Sequence, residues 1–336
     1  MLVLGIESSC DDTSAAILEN GSSVLSNVIA NQNTTHSKYG GVVPELAGRC
    51  HIESIHHVIN NAINQSKIGL KQIDLIAVTV GPGLVSSLLV GLNTAKALAY
   101  ALQKPLVGVN HLEGHLLAIF LEETVEFPFI ALTVSGGHTD IYRVDGFGKY
   151  KILGRTRDDA AGESFDKVAK MLKLGYPGGP LIEEKAKLGN ALAHRFPRAF
   201  LEKGSLDFSF SGLKTSVRNV IAKRESGEIP VSSDSDISAG FQNAVIDVLT
   251  DKVFLACEKE KVNRIVVTGG VAANRALRKK IATEGDSRGI KSFFPKPEFC
   301  TDNAAMIACA GYYKSLNKSL SLKDAINLDA KASLNL

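Results

Sequence analysis

The chain carries one design twice. Residues 3–7 (VLGIE) read as a strand that runs into the polar turn SSCDD, returns as TSAAIL, turns at Asn20 and Gly21, and leaves as SSVLSNVI. About 126 residues later FIALTV runs into SGGH, returns as TDIYRV, turns at DGFGK and leaves as YKILGR. Short runs of β-forming residues with glycine turns between them form hairpins, so both copies predict strand, loop, strand, turn, strand. A second echo follows each. IDLIAVTVGPG precedes the helical LVSSLLVGL, and VNRIVVTGGVAAN precedes RALRKKIA, each a buried strand ending in glycines at a helix start. The pattern predicts an α/β chain of two similar lobes with a nucleotide between them.

The glycines suggest where that nucleotide lies. Backbone N–H groups cradle phosphate only where no side chain blocks approach, so Gly or Ser is required. Five such turns occur, at SSCDD, GPG, SGG, PGG and TGG, and at least three are expected to serve one nucleotide cleft. A tight connection is the alternative for each alone. Paired lobes around a nucleotide are the architecture of the actin, sugar-kinase and Hsp70 superfamily, which by itself fixes no reaction.

Composition excludes several classes. With 336 residues, 45% apolar and 22% charged, the chain has ample core for two domains and no disordered signature. The opening MLVLGIESSC lacks a basic leader and a cleavage site, so no secretion signal is expected. Residues 84–102 are apolar enough to suggest a membrane span, but Asn93 and Lys96 interrupt them, and a buried core helix is expected instead. Five scattered cysteines (Cys10, Cys50, Cys257, Cys300, Cys309) without C-x-x-C spacing suit a reducing cytosol and no structural zinc. Net charge +3 permits an RNA partner, with basic clusters at Arg155/Arg157, Arg195/Arg198, Lys223/Arg224 and Arg275/Arg278/Lys279/Lys280. Each cluster alone also reads as a solvated face.

NHLEGHLLAIF places His111 and His115 four apart on an apolar helix, where both imidazoles face one side. A zinc protease needs its general-base Glu immediately after the first His. Leu112 stands there, and Glu113 is rotated about 100° further round the helix. The protease reading thereby loses its base. The best distant candidate for a third ligand is Asp302 in FCTDNAAMIA, although on spacing alone Asp302 reads as a helix N-cap. Two His and one carboxylate suit iron(II) or zinc and leave positions open for substrate oxygens. Asp11 and Asp12 beside Ser8 and Ser9 suggest a base or a cation bridge, with an Asx-turn as the alternative. Asp166 on a helix with Lys170 four residues later could be a surface pair.

Taken in order, GIESSCDDT, NHLEGH, VSGGHT, GESFDKVAK, YPGGP, FSFSGLKT, TGGVAAN and CTDNAAMIA resemble the TsaD family of tRNA N6-adenosine threonylcarbamoyltransferases, formerly labelled O-sialoglycoprotein endopeptidases. The resemblance runs from residue 5 to about 311. It implies duplicated actin-like lobes (ASKHA fold) with a nucleotide and metal cleft between them: an N-terminal lobe 1–130 with 305–336 packing back on it, and a second lobe 131–304. It implies that His111, His115 and Asp302 hold one Fe(2+), that Val134, Ser135, Gly136, Gly137 and His138 with Asp166, Gly179 and Asn274 bind the substrate adenylate, and that Asp11 accepts a proton. The implied reaction is transfer of threonylcarbamoyl from threonylcarbamoyl-AMP to N6 of adenosine 37 in tRNAs reading codons that begin with A. The implied partners, besides tRNA, are a TsaB-like paralogue, a TsaE-like ATPase and a TsaC-like synthase, in the cytoplasm and away from membranes. A kinase of the same fold would not need the two histidines, and a noncatalytic scaffold would not need Asp11.

Overall fold

A computed structural model describes the chain except for residues 200, 201, 203, 229–232 and 317–324. The strands are β1 (Leu2–Glu7), β2 (Asp12–Glu19), β3 (Ser23–Asn31), β4 (Leu75–Gly81), β5 (Leu106–Asn110), β6 (Phe129–Val134), β7 (Thr139–Gly146), β8 (Lys149–Arg155), β9 (Arg264–Thr268) and β10 (Lys291–Phe293). The helices begin with α1 (Asn33–Ser37), α2 (Pro44–Ser66), α3 (Val85–Leu102) and α4 (His111–Leu117). They continue with α5 (Ala161–Met171), α6 (Gly178–Ala186), α7 (Ser211–Glu225), α8 (Asp234–Glu260), α9 (Arg275–Arg288), α10 (Pro297–Cys300) and α11 (Ala304–Leu316).

Two compact units result, Met1–Val125 with Pro295–Leu336, and Glu126–Phe294. The sequence expectation set the return to the first unit at residue 305; the chain returns at Pro295, which places Asp302 in the same unit as His111 and His115. The backbone N–H of Lys296 donates to Glu122, its ammonium lies 2.9 Å from the same carboxylate, and Ala304 N donates to Ser14 Oγ at 2.9 Å. Part of the expected returning segment, 317–324, lies outside the described residues.

The duplication is explicit in the sheets. Unit 1 has strand order β3-β2-β1-β4-β5, and unit 2 has β8-β7-β6-β9-β10. In each, the first three strands are antiparallel and the first, fourth and fifth are parallel. All seven residues of β4, parallel to both neighbours, and all six of β6, parallel to β9 and antiparallel to β7, are buried, as continuous apolar runs at the centre of a covered sheet are. The Asn20 and Gly21 turn takes left-handed φ of 53° and 82°, the conformation that made Asn-Gly a hairpin signal.

Helix α11 covers the unit 1 sheet closely because its first eight residues are small or apolar and buried. A Cβ on Gly5 would lie 2.2 Å from Ala304 O, and one on Gly311 would lie 2.4 Å from Ala77 Cβ. Helix α3 is the one helix among the described residues long and apolar enough to cross a membrane by composition. It differs from a fully buried helix: Leu88, Leu92, Ala95 and Ala99 face the core, while Val85, Leu89 and Tyr100 are exposed.

Candidate metal centre

Helix α4 begins where β5 ends. Asn110 terminates the strand, and its Oδ1 accepts from Leu112 N (2.8 Å) and Glu113 N (3.4 Å), capping the helix so that His111 occupies its first position. One turn on, His115 lies on the same face, and the two rings meet edge to face with centroids 4.7 Å apart. Gly114 allows this placement, because a Cβ there would meet Ile307 of α11 at 2.8 Å.

Asp302 precedes α11, but the cap of that helix is the next residue. Asn303 Oδ1 accepts from Met306 N at 3.0 Å, which corrects the N-cap reading of Asp302. The Asp302 carboxylate faces the histidines instead: its Oδ1 lies 3.1 Å from His115 Nε2 and 3.5 Å from His111 Nε2. One ligand atom from each of His111, His115 and Asp302 lies within 4.8 Å of the others. Two imidazole nitrogens and a carboxylate oxygen at that spacing fit a single divalent cation. The Glu113 carboxylate lies 3.9 Å from Lys314 Nζ.

A residue that sequence reasoning missed completes the centre. Glu7, fully buried at the end of β1, sets Oε2 3.0 Å from His111 Nδ1, and accepts from Thr79 Oγ1 (2.7 Å) and Ser9 N (2.5 Å). Ser9 Oγ also lies 3.1 Å from His111 Nδ1. A carboxylate at Nδ1 keeps the ring proton there and leaves Nε2 as the ligand atom. The available signal was a charged residue closing an apolar strand, which cannot stay buried without a partner.

In unit 2 the SGGH loop closes on itself. Ser135 N donates to His138 O (2.8 Å), and His138 N donates to Ser135 Oγ (3.1 Å). Gly136 and Gly137 are exposed at its tip, with nothing within 4 Å of where a Cβ would sit. The loop is tied to the start of α5 by Gly162 N donating to Ser135 O (3.1 Å), and Val134 O lies where a Cβ on Gly269 would reach 2.4 Å. Asp166 on α5 accepts from Gly178 N at 2.7 Å, which fixes the start of α6 and leaves Gly179 open beside it. Helix α5 carries an ion pair of Glu163 with Lys167, at 2.7 Å. Asn274 is buried; its Oδ1 caps α9 through Leu277 N (3.0 Å), and its Nδ2 donates to Gln242 (2.8 Å).

The family model described as TsaD, tRNA N6-adenosine threonylcarbamoyltransferase, matches residues 23–309. A curated relative of that name from Thermodesulfovibrio yellowstonii is 55% identical, with 100% of each chain covered. The chain belongs to the TsaD family. Another relative of the same name, from Geobacter metallireducens, is 53% identical over 98% of this chain and 96% of its own. Among solved structures, HypF in its phosphate- and nucleotide-bound form superposes with TM-score 0.63 at 14% identity, covering 95% of this chain and 56% of that one. Component A of the (R)-2-hydroxyglutaryl-CoA dehydratase of Acidaminococcus fermentans gives TM-score 0.56 at 15% identity, over 94% and 99% of the two chains. At these identities the likeness is one of fold, and it supports the ASKHA class for this TsaD-family chain.

The TsaD-family motif GIESSCDDT gathers acids next to the triad. Burial would lower the pKa of His111, but the Asp302 and Glu7 carboxylates outweigh it and raise the group to about 9. Burial would raise that of Glu7, and the charge and hydrogen bond of His111 hold it below its usual value. Asp12 is pushed up to about 8 by burial and by the charges of Asp302, Asp11 and Glu7. Asp11 is also raised, by burial first, then opposed by a bond from the Cys10 thiol and supported by the Asp302 charge. Four carboxylates this close favour a bound cation.

Proposed function

We propose that this chain transfers threonylcarbamoyl from threonylcarbamoyl-AMP to N6 of adenosine 37 in tRNAs that read codons beginning with adenine, releasing AMP. Membership of the TsaD family supports the reaction class. The convergence of His111, His115 and Asp302 carries the metal-dependent form of the reading.

The exocyclic amine attacks the carbamoyl carbon, a C–N bond forms, the C–O bond to phosphate breaks, and AMP leaves with the electron pair. Adenosine N6 is a poor nucleophile, so the mixed anhydride and its good leaving group supply the activation. His111, His115 and Asp302 would hold iron(II), with zinc the alternative, as a Lewis acid for phosphate or carbamoyl oxygens. Asp11 accepts the amine proton; its raised carboxyl pKa favours that role.

Val134, Ser135, Gly136, Gly137 and His138, with Asp166, Gly179 and Asn274, bind the adenylate. The open glycines let backbone N–H groups approach its phosphate, while Asp166 and Asn274 hold the helix starts beside them. For tRNA, one member of each basic cluster is already paired internally: Arg157 with Asp207, Arg198 and Lys280 with Asp247, and Arg224 with Asp234. Arg195, Lys223, Arg275 and Lys279 are exposed and are the side chains assigned to RNA phosphates. A TsaB-like paralogue, a TsaE-like ATPase and a TsaC-like synthase act with it in the cytoplasm.

The test is nucleoside mass spectrometry on unmodified tRNA after incubation with the purified chain, its partners and synthetic threonylcarbamoyl-AMP. Threonylcarbamoyladenosine at position 37 is expected. Its absence with a competent tRNA and all partners present would overturn the reading.

A further inference from the structure

The GPG turn has the composition of a phosphate loop, but its approach is filled by the chain itself. Gly81, at φ +148°, is so close to the C-terminal segment that a Cβ would lie 2.2 Å from Lys331 O. Lys331 N donates to Val80 O (2.8 Å), and Gly83 N donates to Ala332 O (3.2 Å). Lys96 Nζ donates to Leu328 O (2.6 Å), while Leu328, Ala330 and Leu334 pack on the unit 1 core.

This segment reaches His111 by two routes. Asn110, which caps α4 through Oδ1, donates from Nδ2 to Leu334 O at 3.1 Å, so one planar amide joins the tail to the helix bearing both histidines. Gly83, tied to Ala332, sits where a Cβ would meet Ser9 O at 2.5 Å; Leu84 N donates to that same oxygen at 2.8 Å, and Ser9 Oγ faces His111 Nδ1. Helix α4 has seven residues, too few to hold its own position, so its caps and neighbours locate it.

We propose that segment 328–334 is a clamp that positions His111 and His115 for metal binding, acting through Asn110 and the GPG turn. Asn110 and the tail touch no reacting atom; both are positioning elements, and the inference rests on the metal reading above. Loss of the tail contact loosens α4 and weakens the ion's hold without removing a ligand.

Two full-fold variants and their combination test this. Asn110→Ser keeps a good N-cap but cannot reach Leu334 O. Removal of residues 333–336 deletes the acceptor. Co2+ titration followed in the visible spectrum reads the centre, and amide hydrogen exchange reads α4, with wild type and His115→Ala as controls. Each variant is expected to bind Co2+ at least fivefold more weakly and to exchange faster in α4, with β1 and β4 as protected as in wild type. The double variant is expected to be no worse than the weaker-binding single, because the Asn110–Leu334 hydrogen bond is already lost in each. Unchanged Co2+ affinity with unchanged α4 exchange, or losses that multiply in the double variant, would overturn the clamp. Should wild type bind no Co2+, or His115→Ala bind it equally, the metal reading fails, and unchanged α4 exchange then overturns the clamp separately. Should the shortened chain not fold, Asn110→Ser decides alone.

Discussion

His111 Nδ1 lies 3.0 Å from Glu7 Oε2, and the Glu7 carboxylate is fully buried. The acid fixes which ring nitrogen faces Asp302 and raises the basicity of that nitrogen. Removing such a partner typically costs about 10–100-fold in metal affinity. Glu7→Gln keeps the shape and removes the charge, so Co2+ affinity is expected to fall within that range. Wild-type affinity in the variant would take Glu7 out of the centre.

Asp11 separates chemistry from binding. If Asp11 is the proton acceptor, as proposed, its loss is expected to lower kcat by about 100-fold or more. Adenylate affinity, measured by calorimetry with a nonreactive analogue, is expected to stay within about threefold. Equal losses in both would make Asp11 a binding residue.

Two glycines of unit 2 are predicted to respond oppositely. Gly137 has nothing within 4 Å of a Cβ, so Gly137→Ala is expected to keep the wild-type melting temperature while weakening adenylate binding. Gly162→Ala would place a Cβ 2.5 Å from Ser135 O and is expected to cost about 1–3 kcal/mol in stability. Thermal melts and analogue titrations on both variants check this; an unstable Gly137→Ala would contradict the open loop.

Asp159 predicts a pH effect on stability. Burial would raise its carboxyl, but hydrogen bonds from Lys167 (2.8 Å) and Lys214 outweigh that and hold it below its ordinary 3.8. A lowered folded pKa gives stability that is present above the unfolded value and lost as pH falls through the folded one. Asp159→Asn is therefore expected to destabilise by about 1.5–3 kcal/mol at pH 7. The difference from wild type should shrink below about pH 4. Urea melts at pH 7 and pH 3 measure it, and a difference independent of pH would mean that charge is not the cause.

The succession of strands along both units was legible because hairpin and buried strands carry different patterns: Asn20 and Gly21 mark a turn, and the unbroken apolar run of β4 marks a buried strand, whereas the order of strands within each sheet was not read. The pairing of His111 with His115 was legible from helical spacing. Asp302 was legible only as a candidate, named through the family resemblance, since 187 residues separate it from His115 and on spacing alone Asp before a helix reads as a cap. Only the fold shows that Asn303 takes the cap. Glu7 and Asn110 were equally hidden, because their roles depend on what the neighbouring strands and the tail bring beside them. The GPG turn looked like a phosphate loop because composition records an open backbone, not what fills the opening.

On the proposed mechanism, transfer depends on one cation held by His111, His115 and Asp302. The direct measurement adds Fe2+ anaerobically to metal-stripped protein with its partners, and counts bound metal and threonylcarbamoyladenosine in the same samples. Both are expected to rise together and to level off at one metal per chain, and to stay near zero in His115→Ala. Full product formation by stripped protein, or by His115→Ala, would rule out a metal-dependent transfer at these residues.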